Sequence, residues 1–251
     1  MTAPRLRQKV ILMSRHSALI VGAGEGIGAA LTRELLAADL NVALVRRDAQ
    51  ALERLTASFT APDRVKGFAL DAAQGEGVEA VLDDAQSQLG PLELAVYNVA
   101  DYVMGPVLEL SPEQFASAAR ITHGAFLTGR AAARCMQARG TGTILFTTST
   151  ASLRGRAGNA ALASARFGLR GLVECLAREM APLGVHVALI VLDSMIDTPA
   201  LRVAMPDAQE RYGQDRLMPT RAVAEHCLQL HRQPAGAWTY HSELRPRAAE
   251  W

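Results

Sequence analysis

At 251 residues and 26.8 kDa, with 49% hydrophobic residues, the chain has material for one large core or at most two small ones, and intrinsic disorder is excluded. Twenty-six basic against twenty-five acidic side chains leave a formal charge of +1, so no electrostatic excess favours nucleic acid or an anionic membrane, and neither is expected as a partner. The longest apolar run, Val187 to Leu192, is far short of the ~20 residues that cross a bilayer, and Val10 to Met13 is too brief for a signal-peptide core.

These features predict a cytoplasmic protein. Three cysteines, Cys135, Cys175 and Cys227, fall in helical-looking segments and fit reduced core thiols better than a disulfide framework. The only lysines are Lys9 and Lys66, so 26 basic residues minus 2 leaves 24 arginines.

In chain order, residues 1–16 read as a mobile N-terminal arm and residues 17–251 as a single domain with no linker or repeat. Strands are predicted at Ser17 to Val21, Asn41 to Arg46, Val65 to Leu70, Leu92 to Asn98, Gly142 to Thr148, Val185 to Leu192 and Ala237 to His241. Helix-sized Ala/Leu/Arg segments separate most of them. Such alternation implies an α/β fold, a parallel sheet with helices on both faces, because parallel neighbours need crossover connections. Val187 to Leu192 lacks any alternation of polar and apolar residues, as expected of a central strand covered on both sides.

After the first strand stands Gly22-Ala23-Gly24-Glu25-Gly26-Ile27-Gly28, followed by the helix-compatible Ala29 to Ala38. Ile27 occupies the third glycine position of the usual G-x-G-x-x-G fingerprint, whereas Gly22, Gly26 and Gly28 meet the spacing G-x-x-x-G-x-G. Glycines so placed allow a tight turn, admit a pyrophosphate to the backbone and leave helix N-terminal N–H groups aimed at an anion. An ordinary strand-to-helix turn is the other reading. Eighteen residues beyond Gly28, Arg46-Arg47 ends the second strand where an NAD site normally places a carboxylate on the ribose 2′-hydroxyl. Two guanidiniums there would hold a 2′-phosphate, so NADP(H) is preferred over NAD(H), unless the pair is merely solvated. Asp71, followed by Ala72, either accepts from an adenine amino group or caps its turn.

These residues, together with Tyr97-Asn98-Val99-Ala100, Ser149, Ser164 to Leu172 and Ile196-Asp197-Thr198-Pro199, resemble the short-chain dehydrogenase/reductase family from about Ser17 to about His241. The resemblance implies a Rossmann-type doubly wound sheet of about seven parallel strands, a nicotinamide cofactor across the strand C-terminal ends, and a homodimer or homotetramer built on the helices at 112–139 and 159–180. It also implies cofactor contacts from Gly22, Gly24, Glu25, Gly26, Ile27, Gly28, Asn98, Val99, Ala100, Arg166, Ile196 and Thr198.

The departures weigh as much as the matches. The family uses a Ser, a Tyr, a Lys four residues later and a supporting Asn. Alignment on Ser164 to Leu172 puts Leu162 at the Tyr position, Arg166 at the Lys position and Ile121 at the Asn position, leaving Ser149 as the catalytic candidate. Leucine has no proton to give, which would cost a dependent reaction ~10²–10⁴-fold. Arg166 could still anchor a ribose but stays protonated. Tyr102, Tyr97 and Asp193 are the other groups near the expected nicotinamide pocket, each with a packing or capping alternative. Thr198 to Pro219 reads as a substrate lid or a surface loop.

No metal is expected: His226 and His231, five residues apart, would lie some ~140° apart on a helix. His186 and His123 read as hydrogen-bonded structural residues. Two functions fit, an NADP(H)-dependent oxidoreductase of a small carbonyl or alcohol, or a catalytically silent NADP(H)-binding sensor or partner subunit.

Overall fold

The computed structural model describes residues 15–74 and 77–248, so the predicted arm, apart from its last two residues, lies outside the described residues. The strands are β1 (Ser17–Val21), β2 (Asn41–Arg46), β3 (Val65–Ala69), β4 (Leu92–Tyr97), β5 (Gly142–Ser149), β6 (Val185–Leu192), β7 (Met195–Asp197), β8 (Leu217–Pro219) and β9 (His241–Leu244). The helices are α1 (Ile27–Ala37), α2 (Ala49–Ala57), α3 (Gly77–Leu89), α4 (Pro112–Gln137), α5 (Ala160–Met180), α6 (Pro199–Ala204), α7 (Ala208–Tyr212) and α8 (Thr220–His231).

Seven strands pair in the order β3-β2-β1-β4-β5-β6-β9, every pairing parallel, with β7 and β8 forming a small parallel ladder apart from it. This is the predicted Rossmann-type α/β sheet. The two faces bury different side chains because successive strand residues point to opposite sides. Ile20, Leu44 and Val96 pack with Leu31 and Leu35 of α1 and Val223 and Cys227 of α8. Leu19, Val45 and Phe146 pack with Leu82 of α3, Ile121 and Met136 of α4, and Leu169 and Val173 of α5. Each such fully buried side chain contributes about 1.5–3 kcal/mol of transfer free energy.

Two sequence expectations need correction. All eight residues of β6 are buried, as its unbroken apolar run requires, but the middle of the sheet is β4 and β6 lies one strand from the edge. The last strand is His241–Leu244 rather than Ala237 to His241. Gln233 brackets Thr239, its Nε2 donating to Thr239 Oγ1 at 2.8 Å and its Oε1 accepting from Thr239 N at 2.8 Å, and Trp238 stacks on His186. Those contacts occupy the segment before pairing starts.

Candidate functional site

The sheet winds outward in both directions from the gap between β1 and β4, so the turns after Val21 and Tyr97 flank a crevice at the strand C-terminal ends. Gly22 turns the chain at φ +85°, and a Cβ on it would stand 2.6 Å from the Asn98 carbonyl oxygen. Only glycine fits both demands. A Cβ on Gly28 would lie 2.9 Å from Ala23 Cα, so Gly28 lets α1 pack on the turn. A Cβ on Gly24 would meet nothing within 4 Å, leaving open space above the loop.

Helix α1 begins at Gly26, without a side-chain cap and without an acidic residue in its first turn; Glu25, before it, is exposed. Ala29 N donates to the Gly24 carbonyl at 2.8 Å, which leaves the Ile27 and Gly28 amides of the first turn to meet an anion. Ile27 is half-buried against the core.

Arg46 and Arg47 stand at the C-terminal end of β2, the first half-buried and the second exposed. Beside them the Asp48 carboxyl is held below its usual range by the Ala51 N–H, with smaller contributions from Arg46 and Arg54. Asp71 does cap its turn, accepting from Ala73 N at 3.1 Å, and its other oxygen pairs with Arg120 of α4. Ala72 is buried, in contact range of Gly124.

On the β4–β5 side, Thr147 Oγ1 donates to Asn98 Oδ1 at 2.8 Å while Asn98 Nδ2 reaches the Gly22 carbonyl at 3.4 Å, so one amide ties three strand ends together. Ser149 closes β5 half-buried, its carbonyl accepting from Ser152 Oγ at 2.8 Å, and the neighbouring Thr148 Oγ1 is buried without a partner.

Leu162 is 5% exposed and Arg166 3%, four residues apart on one stripe of α5. Arg166 Nη1 donates to the Val99 carbonyl at 3.4 Å, and its Nε has no hydrogen-bond partner. Burial lowers the guanidinium's pKa, opposed by Tyr102, Tyr97 and Asp101. Tyr97 is a packing residue, as its alternative reading had it. Its hydroxyl donates to the Ile121 carbonyl at 2.8 Å, and burial pushes its pKa up. Gly124 makes the room: a Cβ there would lie 2.7 Å from that oxygen. Val99 is partly buried and Ala100 exposed at the crevice edge.

Over the crevice, Thr198 caps α6 by accepting from Leu201 N at 3.1 Å, and its methyl lies above Gly26, where a Cβ would be 2.5 Å away. Ile196 packs on the core in the β7–β8 ladder, which anchors both ends of the predicted lid. Asp193 is engaged by Arg245 at 2.5 Å rather than standing free as an acid. A cavity of about 590 Å³ lies nearby, lined by Leu217, Met218, Leu244 and Arg245 among others, but no predicted site residue borders it. The glycine crevice is the better site, since there an uncapped helix N-terminus meets open space above Gly24 at the strand C-terminal ends.

Sequence reading missed the partners Arg120, Thr147 and Arg245, and spacing along the chain carries no signal for contacts made across strands. His186 is structural, its Nε2 2.9 Å from the Thr239 carbonyl, but His123 is exposed rather than buried in a hydrogen-bonded role. Cys227 is a core thiol, pushed by burial up to about 12, whereas Cys175 is exposed and Cys135 half-buried. Among the described residues there is no cluster of three or more His, Cys, Asp or Glu fit to hold a metal, and no helix long and apolar enough to cross a membrane.

Comparison with known proteins agrees with this geometry. The chain is 28% identical over 210 residues to the 3-oxoacyl-[acyl-carrier-protein] reductase MabA of Mycobacterium avium, covering 83% of this chain and 77% of that protein. It is 28% identical over 206 residues to the 3-dehydrosphinganine reductase of Danio rerio, covering 79% of this chain but 62% of that longer protein. A crystal structure of a short-chain dehydrogenase from Rhodopseudomonas palustris is 36% identical, with TM-score 0.79, covering 92% of this chain and 98% of that one. More distant structures of the same fold, at TM-scores of 0.82 and 0.77, hold NADP. The family profile described as short chain dehydrogenase matches residues 16–208. By sequence profile, topology and the glycine crevice together, the chain belongs to the short-chain dehydrogenase/reductase family of oxidoreductases.

Proposed function

We propose that this protein is an NADP(H)-dependent oxidoreductase of a small carbonyl or alcohol, working through a site with an altered acid and an altered cation. The observation that carries the reading is the cradle at the β1–α1 turn, with Gly22, Gly24, Gly26 and Gly28 opening onto an uncapped helix N-terminus while Arg46 and Arg47 flank it at the end of β2. A diphosphate fits the first and a 2′-phosphate the second.

The residues present suit a nicotinamide dinucleotide. Asp71 and Ala72 would border the adenine, Asn98, Val99 and Ala100 the middle of the cofactor, and Ile196 and Thr198 its nicotinamide end. The unpartnered Arg166 Nε is a donor suited to a ribose hydroxyl. Bound there, the cofactor supplies or takes a hydride. Ser149 offers a hydroxyl at the end of β5 to polarise a carbonyl oxygen, and the buried Leu162 keeps water from that side of the substrate.

The second reading, a silent NADP(H)-binding sensor or partner subunit, is favoured by Leu162 and Ile121, both apolar and buried where the family has an acid and its support. Calorimetry with NADPH and NADH, followed by NADPH oxidation with a panel of aldehydes, ketones and quinones, separates them. Turnover that falls in Ser149→Ala supports the enzyme; tight NADPH binding without turnover supports the silent protein. Absence of heat with either dinucleotide overturns both.

The proposal extends to a cytoplasmic location and to self-association through α4 and α5, supported by Phe115, Phe126 and Phe167, which leave 48%, 42% and 45% of their surface exposed on those helices. Sedimentation analysis should show a dimer or tetramer in the wild type and a smaller species in Phe126→Asp/Phe167→Asp; a wild-type monomer overturns it.

A further inference from the structure

We infer that Tyr102, from the β4–α4 loop, is the catalytic proton donor that replaces the acid missing at Leu162. This rests on the oxidoreductase reading above and assigns a residue that reading leaves open.

The loop is stitched to α5 at points on both sides of Tyr102. Before it, Arg166 Nη1 donates to the Val99 carbonyl at 3.4 Å. Immediately after it, Val103 packs on the cluster of Ala118, Ala161 and Ala165. Two residues further, Gly105 N donates to the Gly158 carbonyl at 2.8 Å and Gly105 bridges Asn159, one residue before α5 begins. Bracketed in this way, Tyr102 runs along the first two turns of α5, the turns that carry Leu162 and Arg166. Its backbone is held beside that helix and is not the tip of a free loop.

The surroundings suit proton transfer. Leu162 and Ile121 present no hydroxyl to compete, and Tyr97, the neighbouring phenol, already donates to the Ile121 carbonyl. Arg166 feels Tyr102 as the foremost of its charge neighbours, ahead of Tyr97 and Asp101. Asp101, from the same loop, accepts from Tyr102 N through its carboxylate at 2.9 Å. Tyr102 is 65% exposed, which gives the phenolate direct access to water.

The step balances. In the reducing direction the carbonyl carbon gains a hydride from the reduced nicotinamide and the C=O π bond breaks. The carbonyl oxygen takes the Tyr102 hydroxyl proton, and the phenolate recovers a proton from solvent. The substrate carbon is reduced by two electrons and the nicotinamide oxidised by two.

Two measurements on the full chain test the assignment. With phenanthrenequinone as the carbonyl probe, Tyr102→Phe should lower kcat by ~10²–10⁴-fold, the usual worth of a general acid, with the Kd for NADPH kept within about 3-fold. Independently of turnover, nitration of Tyr102 by tetranitromethane should slow several-fold when the unreactive pair of NADP⁺ and quinone is present, relative to NADP⁺ alone, with Tyr212 as the internal control. A Tyr102→Phe enzyme that keeps a third or more of its kcat, or nitration untouched by the quinone, overturns the role of Tyr102 and leaves the oxidoreductase reading standing. A wild-type protein that binds NADPH and never oxidises it overturns both. Because Tyr102 is an exposed loop residue, loss of folding is not expected; circular dichroism of the variant checks this.

Discussion

Single residues decide the tightness of the crevice and, on the proposed reading, the choice of cofactor. Removing the guanidiniums in Arg46→Ala/Arg47→Ala should weaken NADPH by roughly 10–100-fold, since hydrogen bonds to charged groups are worth about 1.5–3 kcal/mol, while NADH binding changes little. Parallel calorimetric titrations read this directly, and equal losses for the two cofactors would refute the 2′-phosphate role. Gly22→Ala forces a Cβ to within 2.6 Å of the Asn98 carbonyl at a backbone φ of +85° and should cost about 1–3 kcal/mol, seen as a lower urea midpoint with unchanged m-value. Gly24→Ala, with nothing within 4 Å, should cost far less. The demand for glycine at these positions was legible from spacing, because a turn into a helix is a local matter. The use of Asp71 was not: whether its carboxylate serves a ligand or its own turn depends on Arg120, forty-nine residues away.

At the scale of elements, a helix start is fixed most sharply where its cap is coded in adjacent residues. Helix α4 starts as Ser111-Pro112-Glu113-Gln114 demands: Gln114 N donates to Ser111 Oγ at 3.2 Å and Gln114 Oε1 accepts from Ser111 N at 2.9 Å. Ser111→Ala should therefore cost about 1 kcal/mol, measured as a shift in denaturation midpoint, and it should leave cofactor affinity alone because the cap is remote from the glycine turn. Strand β9 was misjudged for the opposite reason. Residues 237–239 have strand-like composition, but Gln233 on Thr239 and the Trp238 stack on His186 hold them outside the ladder, which the Tyr240 carbonyl joins by accepting from Leu189 N at 2.8 Å. The lid likewise carried no periodic signal that it would be pinned by β7 and β8, three residues each.

Across the whole molecule, one buried and one half-buried imidazole, His186 and His226, set the acid side of stability. Burial lowers the pKa of His186 and of His226 from the usual 6.5, so the unfolded chain binds protons there more readily than the folded one. Their contribution is complete above about 6.5 and declines as pH falls below it. Glu93, held low chiefly by its hydrogen bond with His231, adds a loss further down, once pH drops through the carboxylate range. Thermal midpoints should thus fall between about pH 7.5 and about pH 5.5, and His226→Gln should make that fall shallower; an unchanged slope would remove His226 from the account. The sequence by itself determined the alternating parallel architecture and the glycine turn, since these follow from composition and near-neighbour spacing, and its resemblance to the family marked positions 162 and 166 as lacking the expected phenol and ammonium. Only the tertiary structure decided that Asn98 is clamped by Thr147, that Asp193 is spoken for by Arg245 and that Val103, next to Tyr102, packs on Ala161 and Ala165 of α5. Those are contacts between segments distant in the chain, and side-chain chemistry there depends on which neighbours the sheet order brings together.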